Sequence, residues 1–203
     1  MTQGCIFDQK LLYDRFPNEL IPFDYDEFFR HADGFEMVTT NCLTGRSEYL
    51  RETQRNRQRA IDICRASSSL PYVSKIVMVD GQPMLDGGII DSIPVQHAMA
   101  TGHPFNVVIS TRNYGFREDG SDRKIPYFIY KNYPRLRVAL SHRIKAYNTQ
   151  LQMVEDLERQ GRIICIRPKR PMEVRRIEKN VERLERLYEE GFQLGEEFAV
   201  GVR

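Results

Sequence analysis

Strand-like and helix-like segments alternate along the first part of this chain, and this alternation restricts the folds that are open to it. Strands are predicted where β-branched and apolar residues lie between turn residues, over 35–41, 76–79, 83–86 and 105–111. Helices are predicted between them over 53–66, from the spacing of apolar side chains, and over 94–100, which begins with a proline. Because helical connections between strands are typical of parallel sheets, the pattern predicts an α/β fold with a mainly parallel sheet.

A different, mostly helical pattern follows the polar loop at residues 115–124. Apolar side chains take the spacing of one helix face over 140–161, and a short strand is predicted at 163–166. The last helix carries an apolar stripe formed by Val174, Ile177, Val181, Leu184 and Tyr188. This change of pattern predicts a boundary near residue 130, with an α/β part over 1–130 and a mostly helical extension over 131–203.

Charge and hydropathy argue against two classes of protein. Thirty lysines and arginines offset 28 acidic residues, and a net charge of +2 gives no basic surface for a nucleic-acid partner. The longest apolar runs, such as 76–79, are far shorter than the roughly 18 residues of a membrane span. Residues 1–20 mix charged and apolar side chains, which is unlike a signal peptide. The sequence therefore predicts a cytoplasmic protein that binds no nucleic acid.

Cysteines and histidines form no pattern that would hold a metal ion or a disulfide framework. The cysteines lie far apart in the sequence, at positions 5, 42, 64 and 165, without a Cys-x-x-Cys pair. The histidines, at positions 31, 97, 103 and 142, are isolated from one another. We therefore predict no metal site and no cofactor that depends on these residues.

The motifs that suggest a chemical function lie in the segment from Ala66 to Pro94. It begins with Ala-Ser-Ser-Ser-Leu-Pro at residues 66–71 and continues through a strand to Leu85-Asp86-Gly87-Gly88. Asp91-Ser92-Ile93-Pro94 then starts a helix. An acid at the end of a strand lies on a firm scaffold, and the two following glycines carry no side chain that would block a substrate.

These motifs resemble those of the bacterial patatin-like phospholipases, whose members carry a serine-rich turn ending in proline and then Asp-Gly-Gly. The resemblance also includes residues 22–24, 39–41 and 107–111, and it covers roughly residues 4–115. It implies a three-layer α/β sandwich with a mainly parallel sheet. It also implies a Ser-Asp dyad that hydrolyses lipid or other acyl esters without a cofactor, during transient contact with a membrane surface.

Within this resemblance, Asp86 falls on the acid of the dyad, and Gly87 and Gly88 support the loop beside the substrate. The chain departs from the family because it contains no Gly-x-Ser-x-Gly motif, which holds the nucleophile. The nearest approach, at residues 45–49, lacks the second glycine, and Ser67–Ser69 are predicted to shape a turn instead. We therefore expect the C-terminal part of a patatin-like domain, which carries the acid, has no nucleophile of its own and is inactive alone.

Two other interpretations stay open from the sequence. In the first, the same fold is a non-catalytic interaction module, whose helices from residue 138 onward bind a partner or a second copy. In the second, an unrelated enzyme matches the patatin motifs by chance. A truncated sheet would leave unpaired strand edges, so the truncated hydrolase is expected to self-associate, whereas a stable monomer would favour a self-contained module.

Overall fold

The computed structural model describes residues 8–31, 34–120, 124–174 and 178–201. A π-helical segment at Leu11–Leu20 comes first. The α-helices are α1 (Tyr25–His31), α2 (Arg57–Ser67), α3 (Val95–Ala100), α4 (Pro134–Ser141), α5 (Arg143–Arg159) and α6 (Val181–Gly201). The strands are β1 (Met37–Asn41), β2 (Arg46–Leu50), β3 (Val77–Val79), β4 (Gln82–Asp86), β5 (Asn106–Ile109) and β6 (Ile163–Ile166).

The chain forms two compact units that interleave in sequence. The first contains the described residues up to Ser92 together with those from Gly120 to Tyr147. The second contains Ile93–Asp119 and the described residues from Asn148 onward. The boundary predicted near residue 130 stays a prediction.

The first unit is built on a four-stranded antiparallel sheet with the strand order β2-β1-β4-β3. Tight turns between consecutive strands make the pairing of these strands antiparallel. β1 and β2 are joined by a turn that ends at Gly45, which has a φ of +65°, and Asp80-Gly81 joins β3 to β4 with φ of +50° and +74°. Two consecutive positive φ values are typical of the turns that connect antiparallel strands. The mixed α/β class is confirmed, but this sheet does not show the mainly parallel pairing that the sequence predicts.

Helices cover both faces of this sheet. On one face, α2 packs Ile63 and Ala66 against Met84 of β4 and the valines of β3. On the other face, α4 packs Leu136 and Leu140 against Leu85 and Cys42. Met84 and Leu85 are consecutive, and both are almost completely buried, because neighbouring side chains of a strand point to opposite faces.

The second unit contains the parallel pair β5 and β6, with Val108 directly opposite Cys165. Val95 of α3 and Val154 and Leu157 of α5 pack against Val108 and Ile163 in its core. α6 contacts β6 but has no fully buried residue. Over the described residues, no helix combines the length and the apolar character that a bilayer span needs.

Most of the predicted elements are present. Each predicted strand lies within two residues of its expected bounds. α2 begins at Arg57 because Asn56 accepts a hydrogen bond from the Arg59 N–H and so caps the helix. The last helix begins at Val181, after Val174, and Ile177 of the predicted stripe lies outside the described residues.

Glu155 is the main buried charge of the second unit. Its carboxylate accepts hydrogen bonds from the Gly115 N–H (2.9 Å) and from two guanidinium nitrogens of Arg117 (3.0 and 2.7 Å). The Arg117 guanidinium holds the pKa of this carboxyl below its usual value, although burial acts in the opposite direction. The pair therefore fixes the loop that contains Gly115 and Arg117 to α5.

We expect Glu155→Gln to lower the free energy of unfolding at pH 7 by about 1–3 kcal/mol, since it leaves Arg117 without its charged partner. A depressed pKa stabilises the fold above the ordinary glutamate value of about 4.3 and ceases to do so as the pH falls through the lower, folded value. Wild type and variant should therefore converge in strong acid. Urea unfolding followed by circular dichroism measures both effects. Asp156→Asn, at an exposed neighbouring carboxylate, is the control and should change stability much less; an equal loss would contradict the prediction.

Candidate functional site

Asp86 lies at the end of β4, where the chain enters a 3₁₀ turn at Gly87–Ile89. Its carboxylate accepts a hydrogen bond of 2.7 Å from the Gly88 N–H. Its own N–H donates to the Ser69 carbonyl (3.0 Å), and its carbonyl accepts from the Thr40 hydroxyl (2.9 Å). The backbone and the side chain of Asp86 are therefore both held in place.

Gly87 is required because two backbone segments lie against each other at this point. A Cβ at this position would lie 2.4 Å from the carbonyl oxygen and 2.7 Å from the Cβ of Val38, in β1. Carbon and oxygen atoms cannot approach that closely without a shift of the backbone. The first glycine of the Asp-Gly-Gly motif is therefore needed for packing between the loop and the sheet.

Gly88 has a different environment. A Cβ there would lie 3.0 Å from Oδ1 of Asp86 and 3.5 Å from the Ser92 hydroxyl, so side-chain atoms rather than backbone would have to move. The Ser92 hydroxyl donates to the Gly88 carbonyl (3.0 Å). The Ile90 and Asp91 N–H groups both donate to the carbonyl of Gly87 (3.0 and 2.9 Å), which closes the loop.

The serine-rich turn lies directly beside this loop. The hydroxyls of Ser68 and Ser69 donate to carbonyls of the last turn of α2, those of Cys64 and Arg65, at 2.7 Å each. The hydroxyl of Ser67 donates to the Val38 carbonyl at 2.8 Å. The prediction that these serines shape a turn is confirmed, and the bond from Asp86 to Ser69 brings two of the sequence motifs together.

Ser47, in the motif nearest to a nucleophile elbow, is not beside Asp86. It lies in β2 opposite Thr40 of β1, while Asp86 in β4 lies opposite Thr39 on the other side of β1. Two strand spacings of about 4.8 Å each put these two backbones roughly 10 Å apart. Ser47 is therefore not placed as the partner of Asp86 in a dyad.

A polar pair between β2 and the loop after Asp86 was not predicted. The Tyr49 hydroxyl donates a hydrogen bond of 2.6 Å to the carboxylate of Asp91. Burial raises the pKa of Tyr49, and the bond to Asp91 adds to this rise. The pattern of Arg46–Leu50 does not predict a strand, so nothing in the sequence brings Tyr49 near Asp91.

Among the described residues, no group of three or more histidine, cysteine, aspartate or glutamate side chains is placed to hold an ion. Asp91, in the loop that follows Asp86, accepts a hydrogen bond from Tyr49. Asp80, in the turn at the other end of β4, accepts hydrogen bonds from Arg59. The chemical group available at the site is the fixed carboxylate of Asp86, beside two glycines that carry no side chain.

Comparison with known families matches the N-terminal and C-terminal parts of the chain to two different families. Residues 1–99, just under half of the chain, match the family described as patatin-like phospholipase. Residues 133–200 match a domain of unknown function (DUF6363). No curated protein matches the chain. The part that contains Asp86 is thus similar to the patatin-like family that its motifs indicate, while the roles of Asp86, Gly87 and Gly88 stay predictions.

The two glycines should respond differently to the same substitution. We expect Gly87→Ala to cost more than about 4 kcal/mol or to prevent folding, because the added Cβ meets backbone atoms of Val38. Gly88→Ala should cost about 1 kcal/mol or less, since the Asp86 carboxylate can move by a few tenths of an ångström. Thermal unfolding followed by circular dichroism measures both, with Gly34→Ala as the control, where nothing lies within 4 Å. Equal losses at Gly87 and Gly88 would contradict this account.

Proposed function

We propose that this chain supplies the acid of a Ser-Asp dyad in a patatin-like lipid acyl hydrolase, with Asp86 as the general base. One observation carries the proposal: the Asp86 carboxylate is oriented at a strand end by the Gly88 N–H at 2.7 Å. The match of residues 1–99 to the patatin-like phospholipases supports lipid acyl esters as the substrate class. The substrate is reached by transient contact with a lipid surface.

In the proposed reaction, Asp86 takes the proton of a serine hydroxyl as the serine oxygen attacks the ester carbonyl. An acyl-enzyme forms, and the alcohol or lysolipid leaves with the proton that Asp86 held. Asp86 then takes a proton from water as the water oxygen attacks the acyl-enzyme, and it returns this proton to the serine oxygen as the fatty acid is released. General-base assistance of this kind contributes about 10²- to 10⁴-fold in rate.

The serine of the dyad comes from another segment of the natural protein in this proposal. The chain contains no Gly-x-Ser-x-Gly motif, and Ser67, Ser68 and Ser69 donate their hydroxyl hydrogens to backbone carbonyls. The second unit also presents an exposed apolar face on β5, at Val107 (51% exposed) and Ile109 (79% exposed). Parallel strands are normally buried on both faces, so this face suits coverage by further chain.

We expect Asp86→Asn to lower esterase activity by about 10²- to 10⁴-fold in the longest natural polypeptide that contains this chain, because the amide keeps the shape but cannot accept the proton. Hydrolysis of p-nitrophenyl esters measures the rate, and circular dichroism checks the fold. The 203-residue chain alone should act no faster than buffer.

Asp80→Asn is the matched control, since Asp80 lies at the other end of the same hairpin and pairs with Arg59 at 2.8 Å. It should reduce stability slightly and leave the rate constant unchanged. Full activity of Asp86→Asn, or activity of the isolated chain that depends on Ser47 or Ser68, would show that the dyad assignment is wrong.

A second candidate function, an interaction module, is favoured by the surface of α6. Its apolar stripe is exposed over Val181, Leu184, Tyr188 and Phe192, by 44% to 72%. Gly191, Gly195 and Ala199 lie on the same side, because they recur at intervals of three and four residues. An exposed stripe of this kind on a helix is typical of a surface that binds a partner helix.

If a second copy binds this stripe, the chain should elute above its monomer mass of 23.8 kDa. Tyr188→Glu combined with Phe192→Glu should restore the monomer, because it places charges in the middle of the buried contact. Light scattering during gel filtration measures the mass. Gln193→Glu adds a charge to an exposed position off the stripe and should leave the mass unchanged. A wild-type monomer at high concentration would exclude self-association through α6.

A further inference from the structure

Two cavities adjoin on the outer side of α2, in the first unit. One of them, of about 870 Å³, has mainly apolar walls, although Asp24, Glu27 and His31 also line it, and it lies between α2 and described residues that precede β1. Leu12, Phe23, Phe28, Phe35, Ile61 and Cys64 are among the residues that line it. Its volume lies within the roughly 300–1,000 Å³ that ligand cavities occupy. Asp86 does not line it.

The second cavity, of about 730 Å³, is polar and basic. Lys10, Arg57 and Arg65 line it, against one acidic side chain, Asp14. The two cavities share four residues as a common wall: Tyr13, Pro17, Phe23 and Ile61. A cationic compartment thus opens directly beside an apolar one.

The cations of the second cavity differ in how they are already engaged. Arg65 is paired with Asp62 at 2.9 Å. Arg57 stacks on the ring of Tyr25, with its guanidinium carbon 3.8 Å from the ring centre. A guanidinium that stacks by its face keeps the N–H groups at its edge available for an anion. In the described part of the chain, neither Arg57 nor Lys10 has a carboxylate partner.

Contacts within the protein position two residues of the shared wall, Tyr13 and Phe23. The hydroxyl of Tyr13 lies 2.6 Å from the hydroxyl of Ser68, which ties the π-helical segment to the end of α2. The rings of Phe23, Phe28 and Phe35 contact one another in sequence, at centroid distances of 5.7 and 5.9 Å. Largely preformed walls reduce the entropy that is lost on binding.

We propose that these paired cavities bind a single-chain anionic amphiphile with a fatty acyl tail. The tail occupies the apolar cavity, and the anionic head, a carboxylate or a phosphate monoester, binds Arg57 and Lys10. The site is separate from Asp86 and does not depend on the proposed hydrolysis. Its chemistry matches both a free fatty acid and a lysophosphatidate.

Calorimetric titration of the full chain with decanoate and laurate, below their micelle concentrations, tests whether the apolar cavity binds an acyl tail. Saturable binding at one site is expected, with an affinity that rises up to about fourfold for each added methylene, since each buried CH₂ contributes a similar free energy. Lauroyl lysophosphatidate is the second arm, and the tighter of the two twelve-carbon ligands identifies the head group. Absence of saturable binding, or equal affinity for decanoate and laurate, would overturn the proposal.

The double variant Arg57→Gln, Lys10→Gln tests whether these two cations bind the anionic head group. Laurate affinity should fall at least tenfold, while the affinity for decanol, which carries no charge, should stay the same. Arg46→Gln, at an exposed arginine that lines neither cavity, is the matched control and should leave laurate binding unchanged. Equal losses for laurate and decanol, or no loss for either, would overturn the assignment of the head group.

Ile61→Glu tests the shared wall, because it places a negative charge where tail and head meet. It should weaken laurate and decanol alike, and circular dichroism checks that the variant folds. If it does not fold, Leu12→Glu places the charge on the exposed side of the same cavity. Binding only to vesicles of anionic lipid, without binding of monomeric laurate, would show a surface contact and overturn the cavity site. None of these readouts measures hydrolysis, so their failure leaves the assignment of Asp86 untouched.

Discussion

The carbonyl group of Val38 is the point on which the first unit depends. Gly87 lies so close to it that a Cβ would come within 2.4 Å, and the Ser67 hydroxyl donates to the same oxygen at 2.8 Å. β1, the end of α2 and the loop after Asp86 therefore meet at one backbone group. β1 also pairs with β2 and β4, so this contact involves an inner strand of the sheet.

The positions of most helices and strands could be predicted because they follow from local patterns, whereas the direction of pairing could not. The sequence shows the Asp80-Gly81 turn and the return strand after it, and these form a hairpin in the structure. β2 was not predicted, because Arg46–Leu50 contains only two large apolar side chains. If β2 is not recognised, the sequence pattern predicts that β1 is the first strand of a parallel sheet. In the structure, β1 is an inner strand of an antiparallel sheet.

The same distinction applies to the candidate site: the arrangement within one short motif could be predicted, and contacts between distant residues could not. Asp86 and its glycines are adjacent in the sequence, so their geometry could be anticipated from one motif. The pair of Tyr49 and Asp91 joins residues that are 42 positions apart, and it exists only because β2 is present. The cavities beside α2 were also missed, since they depend on a π-helical segment that contains Pro17, a residue that local propensity excludes from helix interiors.

Asp86 differs from Asp80 and Asp91 in the hydrogen bond that orients its carboxylate. Asp80 is joined to Arg59 on another element, and Asp91 is joined to Tyr49 on β2, so each connects parts of the fold. The Gly88 N–H that binds Asp86 belongs to the same loop as the carboxylate. This bond therefore orients the side chain at the end of β4. A carboxylate positioned in this way by its own loop fits the proposed role of Asp86 as the base toward a serine on another segment.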